Sequence, residues 1–259
     1  MASADPPVPH RVRRLAFVVV VLLLVVAGLV VAAEFLARGI VADTVRDQVR
    51  AGLAVDSSTP IDVEVAGRSV LLQVLSGRLE RVTAEASEVT FGDLSGDVRL
   101  RASGVPIDGE GTADEVDLAV TIPESDLLGL SKNLSGLPIT EVTVERPDVR
   151  FSVEFDVLAF TLPLSVTVTP EAVDGALAFT PSSVTLGEQT FTAAELRTTF
   201  GSLAESALDT QDLCIAEFLP EALALESLEV GSADLTLRFG GSDVALSERA
   251  LSTVGSCGG

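Results

Sequence analysis

The longest pattern in the chain is an uncharged apolar run, Leu15 to Ala33, between Arg14 and Glu34. Fourteen of its nineteen residues are Leu, Val or Phe. As a helix it spans roughly 28 Å, close to a hydrocarbon core of about 30 Å. On an insertion scale those fourteen favour the membrane by roughly 4 to 8 kcal/mol. Beyond it Leu36, Ile40, Val41, Val45, Val49 and Leu53 recur near helical spacing among Arg38, Asp43, Arg46, Asp47 and Arg50. That spacing predicts a core-docking helix from Glu34 to about Leu53, broken by residues 56–60.

From Ile61 the period changes to two. Ile61, Val63 and Val65 alternate with Asp62 and Glu64, and alternation returns at Val82, Ala84 and Ala86. It continues at Leu94, Val98, Leu100 and Ala102, then at Val116, Leu118, Val120 and Ile122. Further strands are predicted at Val142 and Val144, at Val149 to Phe155 and at Leu162 to Val168. Leu177, Phe179, Val184 and Leu186 suggest a hairpin, and two last strands fall at Leu225 to Val230 and Ala233 to Phe239.

Three segments interrupt the series. Ser69 to Leu75 is too uniformly apolar for a half-exposed strand and reads as a short buried helix closed by Ser76-Gly77. Glu124 to Leu130 reads as a second, with acidic residues at its favourable N-terminal end. Thr192 and Glu195 form a capping box for a third, Ala193 to about Leu208. Strands at short intervals with a few intervening helices indicate an α+β class with antiparallel pairing. The series from Ile61 and the one from Val116 share an outline, but no residue-level repeat relates them.

Charge and composition then narrow the picture. The 259-residue chain carries −21. Setting aside Arg11, Arg13, Arg14 and Asp5 leaves 14 of the 17 basic and 37 of the 38 acidic side chains, or −23 beyond the N-terminal tail. Such a surface repels nucleic acid and anionic headgroups alike. The arginines before the apolar run place the N-terminus in the cytoplasm. The organisation expected is a basic cytoplasmic tail (1–14), a transmembrane anchor (15–33) and one exported domain (34–259) at the cell membrane, facing the periplasm or cell envelope. Val31-Ala32-Ala33 also resembles a signal-peptide cleavage site, although the apolar run exceeds the usual 7 to 15 residues. Either way the domain is exported.

Cys214 and Cys257 both lie in the exported part, where an even count reads first as a disulfide. The chain has one His, His10, and no Tyr or Trp. Ser–His and Cys–His nucleophilic arrangements are therefore excluded from the exported part, and neither a zinc motif nor a phosphate loop is present. No metal, cofactor or catalytic residue is expected, and the protein is read as a non-enzyme. A two-carboxylate hydrolase has the residue types but not the aromatic platforms of sugar sites. Asn133-Leu134-Ser135 matches a glycosylation sequon by chance, and Asp108 to Asp117 lacks EF-hand spacing and reads as a solvated acidic turn.

Gly67 to Val82 (GRSVLLQVLSGRLERV) resembles the signature of an actinobacterial exported family, the LmeA-like phospholipid-binding proteins, of lipomannan elongation factor type. Leu71, Gln73, Gly77 and Val82 match its pattern, while Ser69 and Val70 stand in place of the usual Pro and Phe. The resemblance runs over nearly all of Glu34 to Phe239. It implies a curved antiparallel sheet wrapped around helices, similar to tubular lipid-binding domains, with acyl chains held between sheet and helix. The lipid-contact candidates are then Val70, Leu71, Leu72, Val74, Leu75, Leu127, Leu128 and Leu130. The function expected is membrane-tethered, non-catalytic binding of phospholipid or a lipid-linked envelope precursor such as a lipid-linked glycan. The rival is a structural module docking an envelope protein.

Overall fold

The computed structural model describes residues 10–52, 59–91, 94–135, 139–157, 160–201, 204 and 208–257. The apolar run and the helix after it form one continuous helix, α1 (His10–Gly52). Its residues 20–32 are all exposed, and α1 is long and apolar enough to cross a membrane, with mean hydropathy 2.8 over its most apolar eighteen residues beyond Val20. After it come β1 (Ile61–Ala66), α2 (Val70–Ser76), β2 (Arg78–Phe91), β3 (Leu94–Pro106), β4 (Thr112–Pro123) and α3 (Glu124–Ser135). The second half contains β5 (Ile139–Glu145), β6 (Asp148–Val157), β7 (Phe160–Val173), β8 (Ala176–Leu186), β9 (Gln189–Thr192) and α4 (Ala193–Phe200). It ends with β10 (Gln211–Cys214), a 3-10 turn (Ala216–Phe218), β11 (Ala224–Val230), β12 (Asp234–Ala245) and α5 (Glu248–Ser252).

The class is α+β, and the pairing is antiparallel throughout. Two six-stranded open sheets form, where a single one was expected. The first has the order β1-β2-β3-β4-β12-β11 and the second β10-β8-β7-β6-β5, with β9 added beside β8. The chain leaves the first sheet after β4 and returns to it at β11, so the first sheet closes around the excursion that builds the second.

Period-two alternation decides which face of each strand is buried. In β1 it is clean: Ile61, Val63 and Val65 are buried while Asp62 and Glu64 are exposed. In β2 it is reset by a bulge between Ala86 and Val89, where Glu88 takes a φ of 54° and donates its N–H to the Asp97 carboxylate at 3.1 Å. The bulge returns Val89 to the inner face, fully buried.

Two cores result. One joins β1, β2 and β3 to the polar half of α1 through Ala37, Val41, Ala42, Val45 and Val49. The other lies between the two sheets and α3, with Ile122, Leu127, Val142, Val149, Leu237 and Phe239 among its buried members. Each buried Val or Leu removes enough apolar surface to favour folding by roughly 1.5 to 3 kcal/mol.

Three sequence expectations change. Leu36 and Ile40 do not dock; they are 69% and 66% exposed. Two polar contacts fix the roll of α1 instead, the Glu34 carboxylate holding the start of α2 and Arg46 Nε donating to the Ile61 carbonyl at 2.9 Å, so the face carrying Val41, Val45 and Val49 turns inward. Residues 177–186 are one strand and not a hairpin, because the extra residue at Pro181-Ser182 is absorbed as a bulge against Thr167 and Val168. The hairpin closes one turn later, with β9. Finally, α4 forms with both halves of its capping box but ends at Phe200, where Gly201 at φ 57° breaks it well short of Leu208. Residues 202–203 and 205–207 of that expected helix lie outside the described residues.

Candidate lipid-binding surfaces

The signature segment Gly67 to Val82 builds a small junction between the sheet and α1. Ser69 caps α2 by accepting the Leu72 N–H at 3.3 Å. The Glu34 carboxylate arrives from α1, accepting from Ser69 Oγ at 2.8 Å and from the Val70 and Leu71 N–H groups at 2.6 and 3.2 Å. These are donors that a helix start leaves unpaired. The Val70 N–H above all holds the Glu34 carboxyl down to about 2, against the partial desolvation that would raise it. Glu34 is therefore ionised at neutral pH, and Arg38 one turn on pairs with it at 3.2 Å.

Gln73 closes the junction from inside. It is 3% exposed, its Nε2 donates to the Ala66 carbonyl at 3.3 Å, and its Oε1 accepts the Glu80 N–H at 2.8 Å. One amide thus ties the end of β1 to the start of β2. The glycines of the segment follow from this arrangement. Gly67 has φ 137°, and a Cβ there would stand 2.1 Å from Gln73 Nε2. Gly77, at φ 76°, ends α2 in the left-handed conformation that favours glycine.

The lipid-contact candidates fall into separate environments. Val70 is fully buried in the core beneath α1, and Leu127 is 3% exposed in the core between the sheets. Leu71 and Leu128 are half-buried. Leu72, Val74 and Leu75 are 66%, 41% and 83% exposed, so α2 is not the buried helix its composition predicted. The reason is geometric. A seven-residue helix buries one narrow face, here Val70 and Gln73, and the remaining apolar positions must point away. The side chain of Leu130 lies outside the described residues.

A second apolar feature escaped the sequence reading. Leu118 and Val120 face the interior from β4, in the middle of the first sheet, yet both are half-buried. They pack against both cores and so mark a seam between them. Leu100, beside Leu118 on β3, and Leu128 on α3 are half-buried at its margins. A cavity of about 140 Å³ at this sheet is lined by the charged residues Arg99, Arg101, Asp117, Glu226 and Arg238 together with Leu118, Ala119 and Phe239. Most of that lining is charged and suits water and ions.

A disulfide joins Cys214 to Cys257 with the Cα atoms 5.7 Å apart. It binds the segment after β12, in the first sheet, to β10, in the second. Among the described residues no group of three His, Cys, Asp or Glu side chains could hold a metal ion.

No curated protein and no solved structure gives a significant match to the chain. The family model described as LmeA-like phospholipid-binding matches residues 32–240. This span takes in the Glu34 latch, the α2 junction, most of the first sheet and the inter-sheet core, so the chain belongs to the LmeA-like phospholipid-binding family.

Proposed function

We propose that this protein is anchored by α1 with its domain outside the cytoplasm, and that it holds a phospholipid by its acyl chains without turning it over. The observation that carries the reading is the pair Leu118 and Val120, only partly buried on the inner face of a six-stranded sheet, between the two cores they pack against. An acyl chain lying along the seam would contact Leu100, Leu118, Val120 and Leu128, with Leu127 forming the floor beneath. A lipid-linked glycan precursor would present the same hydrocarbon and is the finer alternative within this reading.

Anchoring and export rest on the exposed apolar length of α1, the arginines before it, and a disulfide, which persists in oxidising compartments. Non-catalytic binding rests on the family's phospholipid-binding character and on the absence of His from the exported part.

Headgroup attraction is a poor source of affinity for a domain of net −23. Affinity must come from hydrocarbon burial, at about 0.8 kcal/mol per CH₂. Titration of the protein with an anionic phospholipid at low and at high salt tests this. Affinity should hold steady or rise with salt, as screening removes repulsion. A steep loss of affinity with salt would show that charge recognition, and not the seam, holds the lipid.

A further inference from the structure

The seam leaves the outer face of α2 unused. Leu72 and Leu75 are 66% and 83% exposed, and Leu71 beside them is half-buried. In water this is an expensive way to display three leucines. The latch to α1 fixes where they sit. Glu34, the residue directly after the apolar run, lies within 2.6 to 3.2 Å of the first N–H groups of α2. A seven-residue helix is roughly 10 Å long, so whichever way it points all of α2 stays within about 10 Å of the level where the run ends. The interfacial layer of each leaflet is about 5 to 8 Å deep, and amphipathic helices embed their apolar faces about 5 to 10 Å into it.

We propose that α2, together with Phe35 and Leu36 of α1, is seated in the outer interfacial layer of the bilayer that α1 crosses, with Leu72 and Leu75 embedded among headgroups and upper acyl chains. This rests on the anchored reading above. Phe35 and Leu36, 74% and 69% exposed, carry the apolar surface of α1 past Glu34 at the same level. Charge agrees. No residue of α2 is charged, Arg68 and Arg81 are exposed at its flanks, and Arg78 is matched by Asp114 at 2.7 Å. With Glu34, its partner Arg38 and Glu80 counted as well, four basic side chains face three acidic ones around α2, in a domain that is otherwise strongly acidic. The surface brought against anionic headgroups is then close to neutral, although the sheet behind it is acidic. Seating α2 there also holds the first sheet at a fixed height, which places the seam within reach of a lipid leaving the outer leaflet.

The test uses the full chain in vesicles of phosphatidylglycerol and phosphatidylcholine, with its native disulfide intact and one added thiol carrying an environment-sensitive fluorophore. Leu72→Cys and Leu75→Cys report on α2. Val26→Cys reports on the span, and Gln48→Cys, about 21 Å further along α1 than Glu34, reports on water. Fluorophores at 72 and 75 should be blue-shifted and quenched several-fold more strongly by lipids spin-labelled high on the acyl chain than the fluorophore at 48. Water-like, unquenched emission at 72 and 75 with quenching at 26 overturns the proposal and leaves the anchor standing. No quenching at 26 overturns the anchored reading itself. Shielding at 72 and 75 without lipid quenching, accompanied by cross-linking of Leu75→Cys between copies, assigns the face to a second protomer and overturns the bilayer contact.

Discussion

Shortening the acyl chains of the bound phospholipid from sixteen carbons to twelve should weaken binding by roughly 200-fold. Four methylenes leaving the seam remove about 3 kcal/mol at about 0.8 kcal/mol each, and every 1.4 kcal/mol is tenfold. The expectation follows from the lining, which is Leu and Val with no charged group. It applies to one chain held along its length; a second chain left outside adds nothing. Titration with a homologous series carrying one headgroup measures the slope directly. A series in which affinity changes less than about tenfold over four methylenes would mean that the hydrocarbon is not what the protein grips.

Replacing Cys257 with Ser should lower the stability of the domain by up to about 4 kcal/mol, the entropy that closing a 44-residue loop removes from the unfolded chain. For a domain of this size that is a fall in Tm of roughly 8 to 16 °C. The consequence is more than a looser terminus. After β12 the chain leaves the first sheet, turns through α5 and bonds to β10 at the edge of the second. On the way Glu221 donates its N–H to the Thr253 carbonyl at 2.9 Å and Gly255 donates to Leu219 at 3.0 Å. The covalent link therefore staples one sheet to the other outside their shared apolar core. Thermal unfolding of the full chain followed by circular dichroism measures the effect. A change within a degree or two would mean that the backbone hydrogen bonds already hold the segment.

Much of this architecture was legible in the sequence because its elements obey simple periods. Ile61, Val63 and Val65 announce a strand with one wet face, and the structure buries those three. Thr192 and Glu195 announce a helix start, and both halves of the capping box form. What composition could not supply was the facing of short or isolated elements. Six apolar or amide residues in succession define α2 as a helix but do not say which of them the sheet will cover. That was decided by Glu34, from a segment 35 residues earlier. The same long-range contact rolled Leu36 and Ile40 outward.

Of the residues that carried the family resemblance, Gln73 and Gly77 turn out to have architectural roles, as does Gly67 at the start of the segment. Gln73 bridges two strand ends, while Gly67 leaves room for its amide and Gly77 turns the chain out of α2. The seam was invisible for a different reason. Leu118 and Val120 sit in an ordinary alternating strand, and their partial exposure depends on their place between the two cores. The division into two sheets was hidden likewise, since which strands pair is fixed by contacts such as β4 with β12, more than a hundred residues apart.

The account depends on unfilled apolar surface inside the domain, and lipid extraction from the purified protein measures that most directly. The full chain, washed at high salt and analysed by mass spectrometry, should yield phospholipid or a lipid-linked precursor in about equimolar amount, retained after unbound lipid has been exchanged away. Protein that comes through repeated preparations free of lipid, and that takes none up when phospholipid is returned to it, would contradict the account.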